Sequence, residues 1–158
     1  MQFSDFPFHK SILKAVAEER FQIPTLVQQK AIPLVLEKKN VIVSAQTGTG
    51  KTAAFALPIL QLLFNQQDTN KEQKKIRALI VSPTRELAVQ INEEFTDYSK
   101  YTNLSSTVVY GGISIDAQKK VLKKGVDILI ATPGRLLDLC KQEIVDLSTI
   151  EILVLDEA

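Results

Sequence analysis

The octet Ala45-Gln46-Thr47-Gly48-Thr49-Gly50-Lys51-Thr52 stands between a short apolar run, Asn40-Val41-Ile42-Val43-Ser44, and a long apolar stretch from Ala53 to Phe64. The first run reads as a buried strand and the second stretch as a helix. Strand, glycine-rich turn and helix in that order narrow the fold more than any other feature, because they are one unit of a parallel α/β repeat. The turn also carries chemistry. Gly48 and Gly50 let the backbone curl without a Cβ in the way. Successive N–H groups then converge on one point, to which the helix start adds its positive end. Lys51 can reach the β- and γ-phosphates of a nucleotide, and Thr52 can place its hydroxyl on Mg²⁺. An ordinary glycine turn before a helix would leave the Lys51-Thr52 pair without a reason.

The rest of the chain repeats the alternation. Helices are expected over His9–Arg20 and from Leu26 to about Lys38, the second interrupted or kinked at Pro33. Strand Val41–Ser44 and helix Lys51–Asn65 come next. The polar stretch from Gln66 to Lys75 reads as a surface loop. Strand Ala78–Ser82 leads to helix Arg85–Lys100, and strand Thr107–Tyr110 to helix Ile115–Lys124, with Ser114 as N-cap and Gly125 just past the end. Strand Asp127–Ala131 leads to helix Pro133–Gln142, and strand Ile150–Leu155 comes last. Short apolar strands separated by helices predict a parallel sheet with helices on both faces. In such a sheet ligands gather at the carboxyl ends of the strands.

Composition excludes more than it assigns. The 158 residues fit one domain, and a net charge of +1 gives no bulk argument for a nucleic-acid partner. Cys140 is the only cysteine, so no internal disulfide can form; in its helix it reads as a small core or boundary residue rather than a reactive thiol. His9 is the only histidine, which argues against zinc. The longest apolar stretch contains Pro58 and Gln61 and is too short for a bilayer. The N-terminus lacks a signal-peptide pattern, and a cytoplasmic location is expected.

Each strand end carries something unusual. After Leu155 stand Asp156 and Glu157, one able to hold Mg²⁺ and the other to orient or deprotonate water. After Ser82 comes Pro83-Thr84-Arg85, and after Ala131 comes Thr132-Pro133-Gly134-Arg135; both threonines suit N-caps. After Tyr110 come Gly111 and Gly112. Three phosphate-ready features on one sheet edge, two with an arginine, suggest a polyanion held by its backbone, without sequence preference. Lys119, Lys120, Lys123 and Lys124 read as a solvated helix face. Upstream, Thr25 and Gln28 fit a capping box. The Gln28 amide could instead read adenine by donating and accepting at once. Spacing alone leaves both open.

Taken in order, these segments resemble a DEAD-box ATP-dependent RNA helicase of bacterial type, over essentially the whole chain. Phe3 resembles the family's upstream aromatic and Phe21 to Gln28 its Q motif. Ala45 to Thr52 resembles motif I, Pro83 to Ala88 motif Ia, Gly111–Gly112 the GG element, Thr132 to Arg135 motif Ib, and Asp156-Glu157-Ala158 the start of motif II. The resemblance implies a Q-motif region over residues 1–29 and a first RecA-like, ATP-binding domain over 30–158. It implies that Phe3 stacks on adenine, that Gln28 hydrogen-bonds it, and that Phe21 belongs to the same site. Lys51 would hold the β/γ-phosphates, Thr52 and Asp156 the Mg²⁺, partly through water, and Glu157 would activate the attacking water. Pro83, Thr84, Arg85, Gly111, Gly112, Thr132, Pro133, Gly134 and Arg135 would grip RNA.

Two departures stand out locally: Arg20 where the family usually has glycine, and Leu26 where it often has proline. The chain also stops inside motif II, before the motif III strand, the second RecA-like domain and its arginine finger. That implies no turnover alone, a vacant place in the sheet beside the Asp156 strand, and marginal stability. Two other readings remain: another P-loop translocase such as a DNA helicase, and an RNA-binding clamp that never hydrolyses ATP.

Overall fold

Four strands form the sheet in the computed structural model, which describes residues 1–66 and 73–157. They are β1 (Ala78–Val81), β2 (Ser106–Val109), β3 (Ile128–Ala131) and β4 (Ile152–Leu155). All pair in parallel, in the order β2-β3-β1-β4. Helices α1 (Lys10–Glu18), α2 (Leu26–Leu36) and α3 (Lys51–Asn65) precede β1, and α4 (Arg85–Ser99), α5 (Ile115–Lys124) and α6 (Pro133–Lys141) alternate with the strands. Single 3-10 turns at Phe3–Asp5 and Leu147–Thr149 were not foreseen. Part of the expected polar loop, residues 67–72, lies outside the described residues.

The chain divides into two units. One is Met1–Gln67 with Glu94–Asn103, the other Asp68–Glu93 with Leu104–Ala158. In the first, α3 is buried on nearly all sides, through Ala53, Ala56, Leu57, Ile59, Leu60 and Leu63. A helix apolar all round must be covered all round, and α1 and α2 both pack against it. His9 caps α1, its Nδ1 accepting from the Ser11 N–H at 3.2 Å while its ring stacks on Phe64. Pro33 lies inside α2 without ending it, so the expected interruption is absent. Pro33 removes one backbone bond and crowds the Gln29 carbonyl, and the packing of α2 on α3 keeps the helix continuous across it.

In the second unit the sheet is the core. Ile128, Leu129, Ile130 and Ala131 of β3 are fully buried. Leu79, Leu129 and Val109 pack with Leu122 of α5 and Leu136 and Leu139 of α6. Ala78, Ile80, Ile128 and Ile130, pointing the other way, are buried as well, as a parallel sheet requires. Burial raises the pKa of the Cys140 thiol, which sits at the edge of this core.

One expected element is missing. Val41–Ser44 forms no strand. It runs from α2 to the octet, and no backbone hydrogen bond is made by Val41 through Ala45. Ile42 is fully exposed and Val43 is exposed in part. The reason is that β-propensity does not make a strand; a ladder partner does. Between this segment and α2 lies a groove of about 530 Å³, lined by Leu26, Leu34, Val41, Val43 and Ala45 among others. β4, for its part, pairs only with β1, and its Leu153 and Leu155 are exposed. Among the described residues no helix is long and apolar enough to cross a membrane.

Candidate functional site

The octet keeps the geometry expected of it although its leading strand does not form. Gly48 (φ +82°) and Gly50 (φ +80°) take left-handed conformations, and Gly50 is the N-cap of α3. Lys51 and Thr52 therefore occupy the first helical turn, beside N–H groups that have no helical acceptor. The Thr49 hydroxyl tightens the turn by donating to the Gln46 carbonyl at 2.6 Å.

Gln28 resolves in an unexpected way. It is buried, and its capping box with Thr25 is complete: the Thr25 N–H donates to Gln28 Oε1 at 2.9 Å. Gln28 Nε2 donates to the Gly50 carbonyl at 3.1 Å, and the Thr25 hydroxyl donates to the Thr49 carbonyl at 2.8 Å. The residue pair that starts α2 thus also ties down the octet. A Cβ on Gly50 would come within 2.3 Å of Gln28 Nε2, so a larger residue there would displace the Gln28 amide from the Gly50 carbonyl as well as strain φ. Phe3 is buried against Phe6 and Phe21 and shows no open face; Phe21 is the exposed ring of the group.

In the second unit the strand register decides everything. Val81 pairs with Ala131 and with Leu155, and Val109 pairs with Ala131, so the four strands end level. The bonds run one residue further: the Thr132 N–H donates to Val109, Ser82 to Ala131, and Asp156 to Val81, at 3.1, 3.0 and 2.9 Å. Pro83–Arg85, Gly111–Gly112, Thr132–Arg135 and Asp156–Glu157 therefore share one edge. Glu157 leaves the strand in a left-handed conformation (φ +55°).

The loops on that edge are tied to each other. Thr84 caps α4, its hydroxyl accepting from the Leu87 N–H at 3.3 Å. The Arg85 guanidinium lies 5.1 Å from the centroid of the Tyr110 ring, a cation–π contact. Arg135 donates from Nη1 to Gln118 Oε1 and from Nη2 to the Ile113 carbonyl, both at 3.0 Å. Thr132 is the N-cap of α6 but makes no side-chain capping bond, so its hydroxyl keeps its donor and acceptor capacity. A Cβ on Gly111 or Gly134 would meet nothing within 4 Å, and neither residue has a positive φ. Nothing inside the protein demands glycine at either position.

Residues 25–158 match the DEAD/DEAH box helicase family. The chain belongs to that family. It is 46% identical, over 99% of its length, to the ATP-dependent RNA helicase RhlB of Shewanella woodyi, covering 36% of that protein. It is likewise 46% identical to the DEAD-box ATP-dependent RNA helicase RhpA of Helicobacter pylori, covering 99% of this chain and 30% of that one. A crystal structure of a hypothetical ATP-dependent RNA helicase from Sulfolobus tokodaii matches with a TM-score of 0.83 at 41% identity. That match covers 94% of this chain and 41% of the other. The chain therefore spans about a third of the curated relatives it matches.

Three features of this DEAD/DEAH box chain escaped sequence reasoning: the Thr25 and Gln28 bonds to the octet's carbonyls, and the Gln118 link. The first two join segments more than 20 residues apart through bonds to main-chain carbonyls, which leave no mark on side-chain spacing. Gln118 did leave one. It lies between Ile115 and Leu122 on the buried face of α5, a polar residue in an apolar stripe.

Proposed function

We propose that this chain is the nucleotide-binding part, and part of the RNA-binding part, of an ATP-dependent RNA helicase that binds, remodels and locally unwinds RNA. The observation that carries the reading is the level sheet edge, which brings three phosphate-ready loops and the Asp156–Glu157 pair into one row. Backbone N–H groups, a free threonine hydroxyl and glycines open to solvent suit a sugar-phosphate chain and carry no base code.

The octet would cradle the phosphates of ATP, from Ala45 to Gly50, with Lys51 on the β/γ-phosphates. Phe3 would stack on adenine once its ring is uncovered, with Phe21 in the same site, and Gln28 would hydrogen-bond the base with the Nε2 hydrogen and Oε1 lone pair that its bonds to Gly50 and Thr25 leave over. Thr52 and Asp156 would hold Mg²⁺, partly through water, because hydroxyl and carboxylate oxygens are the hard donors that Mg²⁺ takes alongside phosphates. When bound, it would neutralise charge on the transferred phosphoryl group. Glu157 would orient the attacking water and take its proton. Pro83, Thr84, Arg85, Gly111, Gly112, Thr132, Pro133, Gly134 and Arg135 form the RNA surface. A second RecA-like domain in cis would supply an arginine finger, worth about 10³-fold or more in rate. A cytoplasmic setting accords with the single thiol.

ATP hydrolysis by the full-length protein, with and without single-stranded RNA, tests this. RNA should stimulate turnover, and Lys51→Ala and Glu157→Gln should each lower it by at least about 100-fold. Glu157→Gln should still bind ATP. A full-length protein that binds RNA but never turns over, with both variants binding RNA normally, would show a non-hydrolysing clamp instead. Stimulation by DNA alone would show a DNA translocase.

A further inference from the structure

We infer that Gln118 is a positioning residue for RNA binding: it locks the Gly111–Gly112 loop to Arg135, so that the two present themselves to the phosphate chain as one surface. The inference rests on the RNA reading of this edge. Gln118 is buried in the middle of the stripe that α5 turns to the core, with Ile115 three residues before it and Leu122 four after. A leucine there would serve folding alone, because a buried amide gains little and costs much if left unpaired. The amide is paired at both ends. Its Nε2 donates to the Tyr110 carbonyl at 3.1 Å, and its Oε1 accepts from Arg135 Nη1 at 3.0 Å.

These partners frame the glycine loop. Tyr110 immediately precedes Gly111, and Arg135 also bonds the Ile113 carbonyl just past Gly112. The loop is exposed, and Gly112 stands at φ +83°. Two glycines in sequence would otherwise wander over many backbone conformations. One amide and one guanidinium fix both ends of the pair. The Arg85 guanidinium in turn lies over the Tyr110 ring. Arg85, Tyr110, Gln118 and Arg135 therefore join loops that follow three different strands. Disordering Gly111–Gly112 would remove neutral N–H donors from the RNA, while Arg135 keeps its charge on the edge through its own bond to the Ile113 carbonyl.

That last point gives the test. Single-stranded RNA affinity of the full-length protein is measured across a salt series for wild type, Gln118→Leu, Gln118→Glu and Arg85→Gln, alongside ATP affinity and melting temperature. Gln118→Leu should weaken RNA binding about tenfold, with ATP affinity unchanged and the same slope of log affinity against log salt. Arg85→Gln, which loses a cation, should make that slope shallower by about 0.7. Gln118→Glu keeps the acceptor for Arg135 and loses the donor to Tyr110, so it should fall between wild type and leucine. Hydrogen exchange at Gly111 and Gly112 should speed up in Gln118→Leu while the rest of α5 stays protected. RNA affinity and exchange equal to wild type in Gln118→Leu overturns the inference and leaves the RNA reading intact. A wild type with no RNA affinity overturns the RNA reading itself. Should Gln118→Leu not fold, Gln118→Glu binding as tightly as wild type, with unchanged exchange, overturns the inference.

Discussion

Val41-Ile42-Val43-Ser44 and Ile128-Leu129-Ile130-Ala131 look alike on paper: each is a short apolar run that feeds a loop and then a helix. In the fold they differ completely. The second is the central strand β3, buried throughout and bonded on both sides to β1 and β2. The first has no backbone partner, and its Ile42 stands fully in solvent. A strand is a relation between segments. Side-chain pattern proposes it, and a neighbour with free N–H and C=O groups completes it.

The sharpest way to break this contrast is to truncate one isoleucine in each run. Ile130→Ala should cost about 3 kcal/mol or more, by lost burial and a cavity. Ile42→Ala should stay within about 0.5 kcal/mol. Urea melts of both would decide; equal losses would mean that Val41–Ser44 is paired in solution. Glycines sharpen the same comparison. A Cβ on Gly125 (φ +90°) would lie 2.6 Å from the Lys74 carbonyl, so Gly125→Ala meets backbone as well as strain and should cost about 3 kcal/mol. Gly48→Ala, with open space around it at φ +82°, should cost only about 1 kcal/mol. If the two melt alike, crowding around Gly125 contributes nothing.

Smaller effects probe the first unit by itself. Arg20 adopts φ +60° just past α1, where a side chain is strained. Arg20→Gly should stabilise by about 0.5 kcal/mol, since strain relief exceeds the added chain entropy; a lower melting temperature would refute this. Glu94 on α4 gives the smallest effect and a pH signature. Burial raises its pKa, and Asp97 and Glu19 add to the rise, while the hydrogen bond from Tyr98 opposes it. A carboxyl with a raised folded-state pKa disfavours the fold once ionised. Its contribution improves as pH falls through the folded pKa toward the ordinary carboxylate range. Glu94→Gln, which still accepts from Tyr98, should therefore raise the melting temperature slightly at pH 7. Near pH 3.5 the gain should disappear, and a gain independent of pH would show another cause.

The sequence alone determined the class of this fold and the chemistry of its turns. Helix α3 starts at Lys51 and ends at Asn65 where the pattern placed it, and α5 runs from Ile115 to Lys124 between its Ser114 and Gly125 signals. Those boundaries are local: a glycine at positive φ, a serine cap, an unbroken apolar stripe. The Gly48 and Gly50 curl and the Thr84 cap were legible for the same reason. Tertiary structure decided what depends on a partner. It left Val41–Ser44 unpaired, turned β4 into an edge, and buried Phe3 while exposing Phe21. It gave the Gln28 amide to the Gly50 carbonyl and the Gln118 amide to Tyr110 and Arg135. Hydrogen bonds and burial are settled between residues far apart in the chain, and no window of sequence contains both ends of such a bond.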